Sequence, residues 1–96
     1  MSKFLLIYRA PKGYAPNAGT PDAWGSWFVA IGSNIVDPGD QVFVRDAVGP
    51  VVADSTLAGY SVIVADDLPE AVSLANGCPG VEDGFTVEIG ELASAS

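Results

Sequence analysis

Two segments of this chain, residues 3–9 (Lys-Phe-Leu-Leu-Ile-Tyr-Arg) and 59–65 (Gly-Tyr-Ser-Val-Ile-Val-Ala), are apolar on both of their alternating faces. In the first, Phe4, Leu6 and Tyr8 oppose Leu5 and Ile7; in the second, Tyr60, Val62 and Val64 oppose Ile63 and Ala65. Side chains alternate across a strand, so bulk on both faces demands cover above and below and places a strand in the middle of a sheet. A chain of 96 residues has room for one core. Both strands must therefore share it.

The remaining segments supply that cover in part. Thr20-Pro21-Asp22 offers a capping hydroxyl, a proline at the first helical position and an acid at the positive end of the dipole. Trp24, Trp27, Phe28, Ile31 and Ile35 then follow at helical spacing, which predicts a helix over 21–36. From Ala23 to Val36 it carries no charge. Asp37-Pro38-Gly39-Asp40 reads as a type II turn. Residues 41–46 read as a half-exposed strand holding Arg45, and 47–58 as an irregular excursion with room for a short strand at Val51-Val52. A second helix starts at the capping pattern Asp67-Leu-Pro-Glu70 and ends at Gly77, read as a C′ glycine. Residues 85–91 alternate as an edge strand, with Phe85, Val87 and Ile89 inward. The loop at 10–19 and the small polar tail at 93–96 lie outside these elements, leaving 1–92 as the domain.

The order β-α-β-β-α-β predicts a ferredoxin-like α+β fold with an antiparallel sheet and with the two-faced strands central. Two helices cover one face of such a sheet. Leaving the apolar groups of the other face in water would cost on the order of 5 kcal/mol, comparable with the stability of a small domain. A second copy of the chain is the simplest cover, so a homodimer through the open sheet face is expected.

Composition narrows the function. Twelve acids against four bases give a net charge of −8, which repels nucleic acid. There is no histidine and a single cysteine, so neither the common proton shuttle nor the usual zinc site can be built, and no cofactor is expected. The apolar run at 4–8 is too short for a membrane span or a secretory signal. A lone cysteine agrees with a reducing compartment, and a cytoplasmic location without membrane attachment is the expectation.

Trp24-Gly25-Ser26-Trp27, the run Gly59-Tyr60-Ser61-Val62-Ile63 leading through Ala65-Asp66-Asp67-Leu68 to Ala71, and Gly77-Cys78-Pro79 before Thr86-Val87-Glu88 occur in one order over nearly the whole chain. Together they resemble the YCII-related (DGPF) family. The resemblance implies a ferredoxin-like subunit in a dimeric α+β barrel. Some relatives in that group are enzymes, including a chlorohydroxyhydroquinone dehydrochlorinase, whose proposed chemistry pairs a histidine with an acid. Here no histidine exists, and the Asp-Gly-Pro-Phe signature stands as Val48-Gly49-Pro50-Val51. The resemblance carries over fold and dimer and no catalytic residue.

Among candidate sites, Cys78 lies at a helix C-terminus, where the dipole disfavours a thiolate, and reads as a packed loop residue. Asp66-Asp67 and Glu82-Asp83 lack calcium-loop spacing. Trp24 and Trp27 share a helical face, either as core or as the wall of an aromatic pocket. Arg45 either pairs with an acid or anchors an anionic ligand. Tyr8, Trp24, Arg45 and Tyr60 are the expected lining of any pocket. The preferred reading is a non-catalytic or ligand-binding dimeric module. The alternatives are a cofactor-free enzyme, lyase, isomerase or dehydrochlorinase in type, acting on a small aromatic or lactone compound, and a subunit offering its apolar surface to another protein.

Overall fold

The computed structural model describes residues 1–15, 19–51 and 53–93. Residues 94–96 of the expected tail, the centre of the first loop at 16–18 and Val52 of the excursion lie outside them. Along the chain run β1 (Ser2–Pro11), α1 (Thr20–Ala30), β2 (Ile35–Asp37), β3 (Ser55–Ala65), α2 (Leu68–Asn76) and β4 (Thr86–Glu91), with 3-10 turns at Gly32–Asn34 and Pro79–Asp83. The strands form one antiparallel sheet in the order β2-β3-β1-β4. The two strands that are apolar on both faces occupy its centre. This small α+β domain is compatible with the ferredoxin-like arrangement.

Burial alternates along both central strands. Phe4, Leu6, Tyr8 and Ala10 of β1 and Ser61, Ile63 and Ala65 of β3 are buried on the side of the helices, where Trp27, Ile31, Ala71, Ala75 and Cys78 join them. Complete burial of Phe4, Leu6 and Ile63 contributes about 2 kcal/mol each. On the other face Leu5, Ile7, Tyr60, Val62 and Val64 are half-buried, with Leu5 opposite Val62 and Ile7 opposite Tyr60. The Arg9–Glu88 ion pair sits at the margin of that face, is half-exposed, and is worth at most about 1 kcal/mol.

Several boundaries differ from expectation. Helix α1 begins one residue early, so Thr20 is its first residue and Gly19 its cap. It stops at Ala30, six residues before the predicted end. Gly32-Ser33-Asn34 are weak helix formers, and Asn34 leaves the helical path: its backbone N–H bonds Ile31 O, while its side-chain amide donates to Val64 O at 2.9 Å. The β-branched pair Ile35-Val36 is thereby delivered to the edge of β3, and β2 forms there.

Consequently 41–46 is not a strand. Gln41 makes an isolated bridge to Gly59, and past Val42, whose N–H bonds Ala58 O, the chain leaves the sheet. Arg45 lies beyond it, exposed, not inside a strand. Strand β3 instead starts at Ser55, inside the expected excursion. Its residues Ser55 and Thr56 pair with Pro11 and Ala10, and a bulge at Ala58 resets the register between Gly59 opposite Tyr8 and Leu57 opposite Arg9.

Helix α2 starts as its sequence predicts: the Asp67 carboxylate accepts Glu70 N–H at 2.9 Å, and Glu70 reaches back to accept Asp66 N–H at 2.9 Å. Gly77 is not left-handed, with φ of −80°. It is small because a Cβ there would press on the Trp27 indole, 3.2 Å from Nε1. No helix among the described residues is long and apolar enough to cross a membrane.

Candidate functional site

The sheet, the start of α1 and the segment that follows β2 enclose a cleft of about 860 Å3 at the end of the sheet where β1 finishes and β3 begins. Its walls come from all three. The i, i+3, i+4 stripe of α1 brings Trp24, Trp27 and Phe28 onto the sheet, and Trp24 stands edge-on to Tyr8, with ring centroids 4.9 Å apart and planes at 81°. Phe85, just before β4, packs at 6.0 Å from Trp24 and 4.8 Å from Tyr14. Gly80 makes this possible, since a Cβ there would lie 2.9 Å from the Phe85 ring and 3.0 Å from that of Trp24.

Tyr8 is fixed by its hydroxyl. It donates to Ser61 Oγ at 2.8 Å, and Ser61 in turn donates to Pro38 O at 2.7 Å. Ser61 is a fully buried polar side chain, and this chain satisfies it while tying β1, β3 and the turn after β2 together. Burial outweighs the hydrogen bond and pushes the Tyr8 pKa above the usual phenolic range, so Tyr8 stays protonated near neutral pH. The turn fits because Gly39, at φ 74°, crosses the Tyr60 carbonyl, which a Cβ would run into, while its N–H bonds the Asp37 carboxylate at 2.8 Å.

All four residues singled out in the sequence, Tyr8, Trp24, Arg45 and Tyr60, border this cleft. They do so from different positions. Tyr8 and Trp24 form its inner wall. Tyr60 sits opposite Ile7, one residue out of phase with Tyr8, so the two tyrosines leave adjacent strands on opposite faces and Tyr60 meets the cleft at its rim. Arg45 also lies at the rim, its guanidinium 5.8 Å above the centre of the Phe43 ring.

Tyr14, Phe28 and Phe85 also line the cleft but were not among the four. Phe28 was legible as part of the helical stripe, and Phe85 as an inward position of the last strand. Tyr14 carried no periodic signal because it lies in a loop. It borders both the cleft and a smaller cavity of about 270 Å3, and its hydroxyl is buried without a hydrogen-bond partner among the described residues.

Cys78 is buried against the core, and desolvation pushes its thiol pKa up to about 11, beyond what the surrounding backbone hydrogen bonds offset. A thiol so placed is no nucleophile at neutral pH. Among the described residues no group of three or more histidine, cysteine or acidic side chains is arranged to hold a metal ion. Compared with family models, with characterised proteins and with solved structures, the chain gives no match in any of the three.

Proposed function

We propose that this protein is a small dimeric binding module of the YCII-related type, which takes a planar, mostly apolar ring compound into the cleft between sheet and α1. One observation carries the reading: a concavity of about 860 Å3, within the range of small-molecule sites, is walled by Tyr8, Tyr14, Trp24, Phe28 and Phe85. Aromatic walls favour flat rings through edge and offset contacts. Binding is favoured over chemistry because the inner wall supplies no base. Tyr8 keeps its proton, and its O–H is already engaged in a hydrogen bond to Ser61.

Titration with small planar compounds, followed through the indole N–H resonance of Trp24, tests this. Saturable shifts at Trp24 are the expected result, together with loss of the calorimetric binding signal in Trp24→Leu while the Trp27 indole resonance stays at its folded position. The absence of any shift across a set of one- and two-ring compounds would remove the proposal. Slow turnover of a bound lactone or halogenated ring would favour the enzymatic alternative instead.

A further inference from the structure

The charged residues bordering the cleft are Asp40 and Arg45. Asp40, its side chain exposed, belongs to the frame through its backbone, its carbonyl accepting Tyr60 N–H at 3.3 Å. Arg45 does not. In a chain with three acids for every base, Arg9 is paired with Glu88, yet Arg45 has no carboxylate in ion-pair reach among the described residues and rests on Phe43 alone. Phe43 and Arg45 stand two apart on the chain, and the guanidinium lies 5.8 Å from the centre of the Phe43 ring. The ring contact does not neutralise the guanidinium at the border of the cleft, which leaves its five N–H donors open to an anion.

The inner wall is the opposite in character. No cation lies on the inner wall: the Tyr8 hydroxyl is committed to Ser61 and Ser61 to Pro38 O, and the Tyr14 hydroxyl, without a partner among the described residues, is a neutral donor. An anion buried there would lose its hydration with no opposite charge to offset it. A ligand that satisfies both ends has an apolar ring body inside and its negative group at the rim.

We propose that Arg45, seated on Phe43, is the specificity residue of the cleft, and that the ligand class is a planar aromatic or alicyclic carboxylic acid bound ring-first with its carboxylate on Arg45. This rests on the binding reading above and adds the charge and the orientation.

Three probes that share one ring system separate the two claims: 2-naphthoate, the neutral 2-naphthamide and the cationic 2-naphthylmethylamine, each titrated calorimetrically into the intact protein at low and high ionic strength. The expected order is naphthoate about tenfold tighter than the amide, with the amine weakest. Added salt should narrow that gap. Arg45→Gln, an exposed substitution that should leave the circular dichroism spectrum unchanged, should reduce naphthoate to the affinity of the amide and leave the amide itself unaltered. Equal binding of acid and amide, or a preference that survives Arg45→Gln, overturns the anchor while leaving the cleft as a ring-binding site. Failure of all three probes to bind overturns the binding reading itself, and the anchor with it.

Discussion

Two tyrosines within six positions of each other show how differently one hydroxyl can count. Tyr8 Oη has a buried partner, and Tyr14 Oη is buried with none among the described residues. Tyr8→Phe should therefore cost about 1 kcal/mol, because Ser61 keeps its bond to Pro38 O. Ser61→Ala should cost more, about 2–3 kcal/mol, since it strands the Tyr8 hydroxyl in the interior and removes the part-buried hydrogen bond to the Pro38 carbonyl. Tyr14→Phe should be neutral or stabilising by up to about 1 kcal/mol, because it deletes a polar group that burial has left unpaired. Urea denaturation of the three variants checks the order, and equal losses for Tyr8→Phe and Tyr14→Phe would contradict it.

Cys78 gives the same scale a pH signature. Its folded thiol holds the proton up to about 11, against an ordinary value near 9, so the unfolded chain releases that proton first. The associated stability is complete below about pH 9 and is lost as the pH rises toward 11. Tyr8 adds to the decline from its own ordinary value near 10 upward. Denaturation midpoints measured across this alkaline window should fall, and should fall less steeply in Cys78→Ala.

Among the elements, β2 is the one whose place could not be read locally. The apolar spacing of α1 runs on through Ile31 to Ile35 as if the helix continued, and Val42 and Val44 alternate as a strand should. Both patterns are sound in isolation. The edge of β3 nevertheless takes its partner at Ile35–Asp37, and Asn34, anchored on Val64 O, directs the chain there. The turn that follows depends on Gly39. Gly39→Ala should destabilise by about 2 kcal/mol or more, combining strain at φ 74° with collision against the Tyr60 carbonyl. Gly49, at φ 84° with open space around it, is the control: Gly49→Ala should show backbone strain alone, about 1 kcal/mol. Thermal unfolding of the pair separates close approach from backbone conformation.

For the whole molecule, the question left by the fold is the uncovered side of the sheet. Leu5, Ile7, Val62 and Val64 form an apolar centre there, with Arg9, Glu88 and Lys3 around it, the layout of an association surface with a polar rim. A two-fold dimer through this face is the proposed assembly. Light scattering should give a species of twice 9.8 kDa, and Ile7→Glu should convert it to a folded monomer, since the substituted position points away from the core. A monomer for the unaltered chain would assign the apolar face to another partner.

The sequence by itself determined which strands lie at the centre of the sheet, which stripe of α1 faces it and how α2 is capped. Those properties follow from local periodicity and capping chemistry, which act over a few residues and need no knowledge of distant neighbours. It also named four residues that border the cleft. Tertiary structure alone decided that Tyr60 belongs to the rim and not beside Tyr8, because the face a strand residue takes depends on register with its neighbour. The same holds for β2, for the late-joining start of β3 and for the Tyr8–Ser61–Pro38 chain, which links positions 53 and 23 residues apart. An edge strand is chosen by competition among segments for one row of free backbone groups, and a hydrogen-bond chain by convergence in space. Neither quantity exists until the chain has folded.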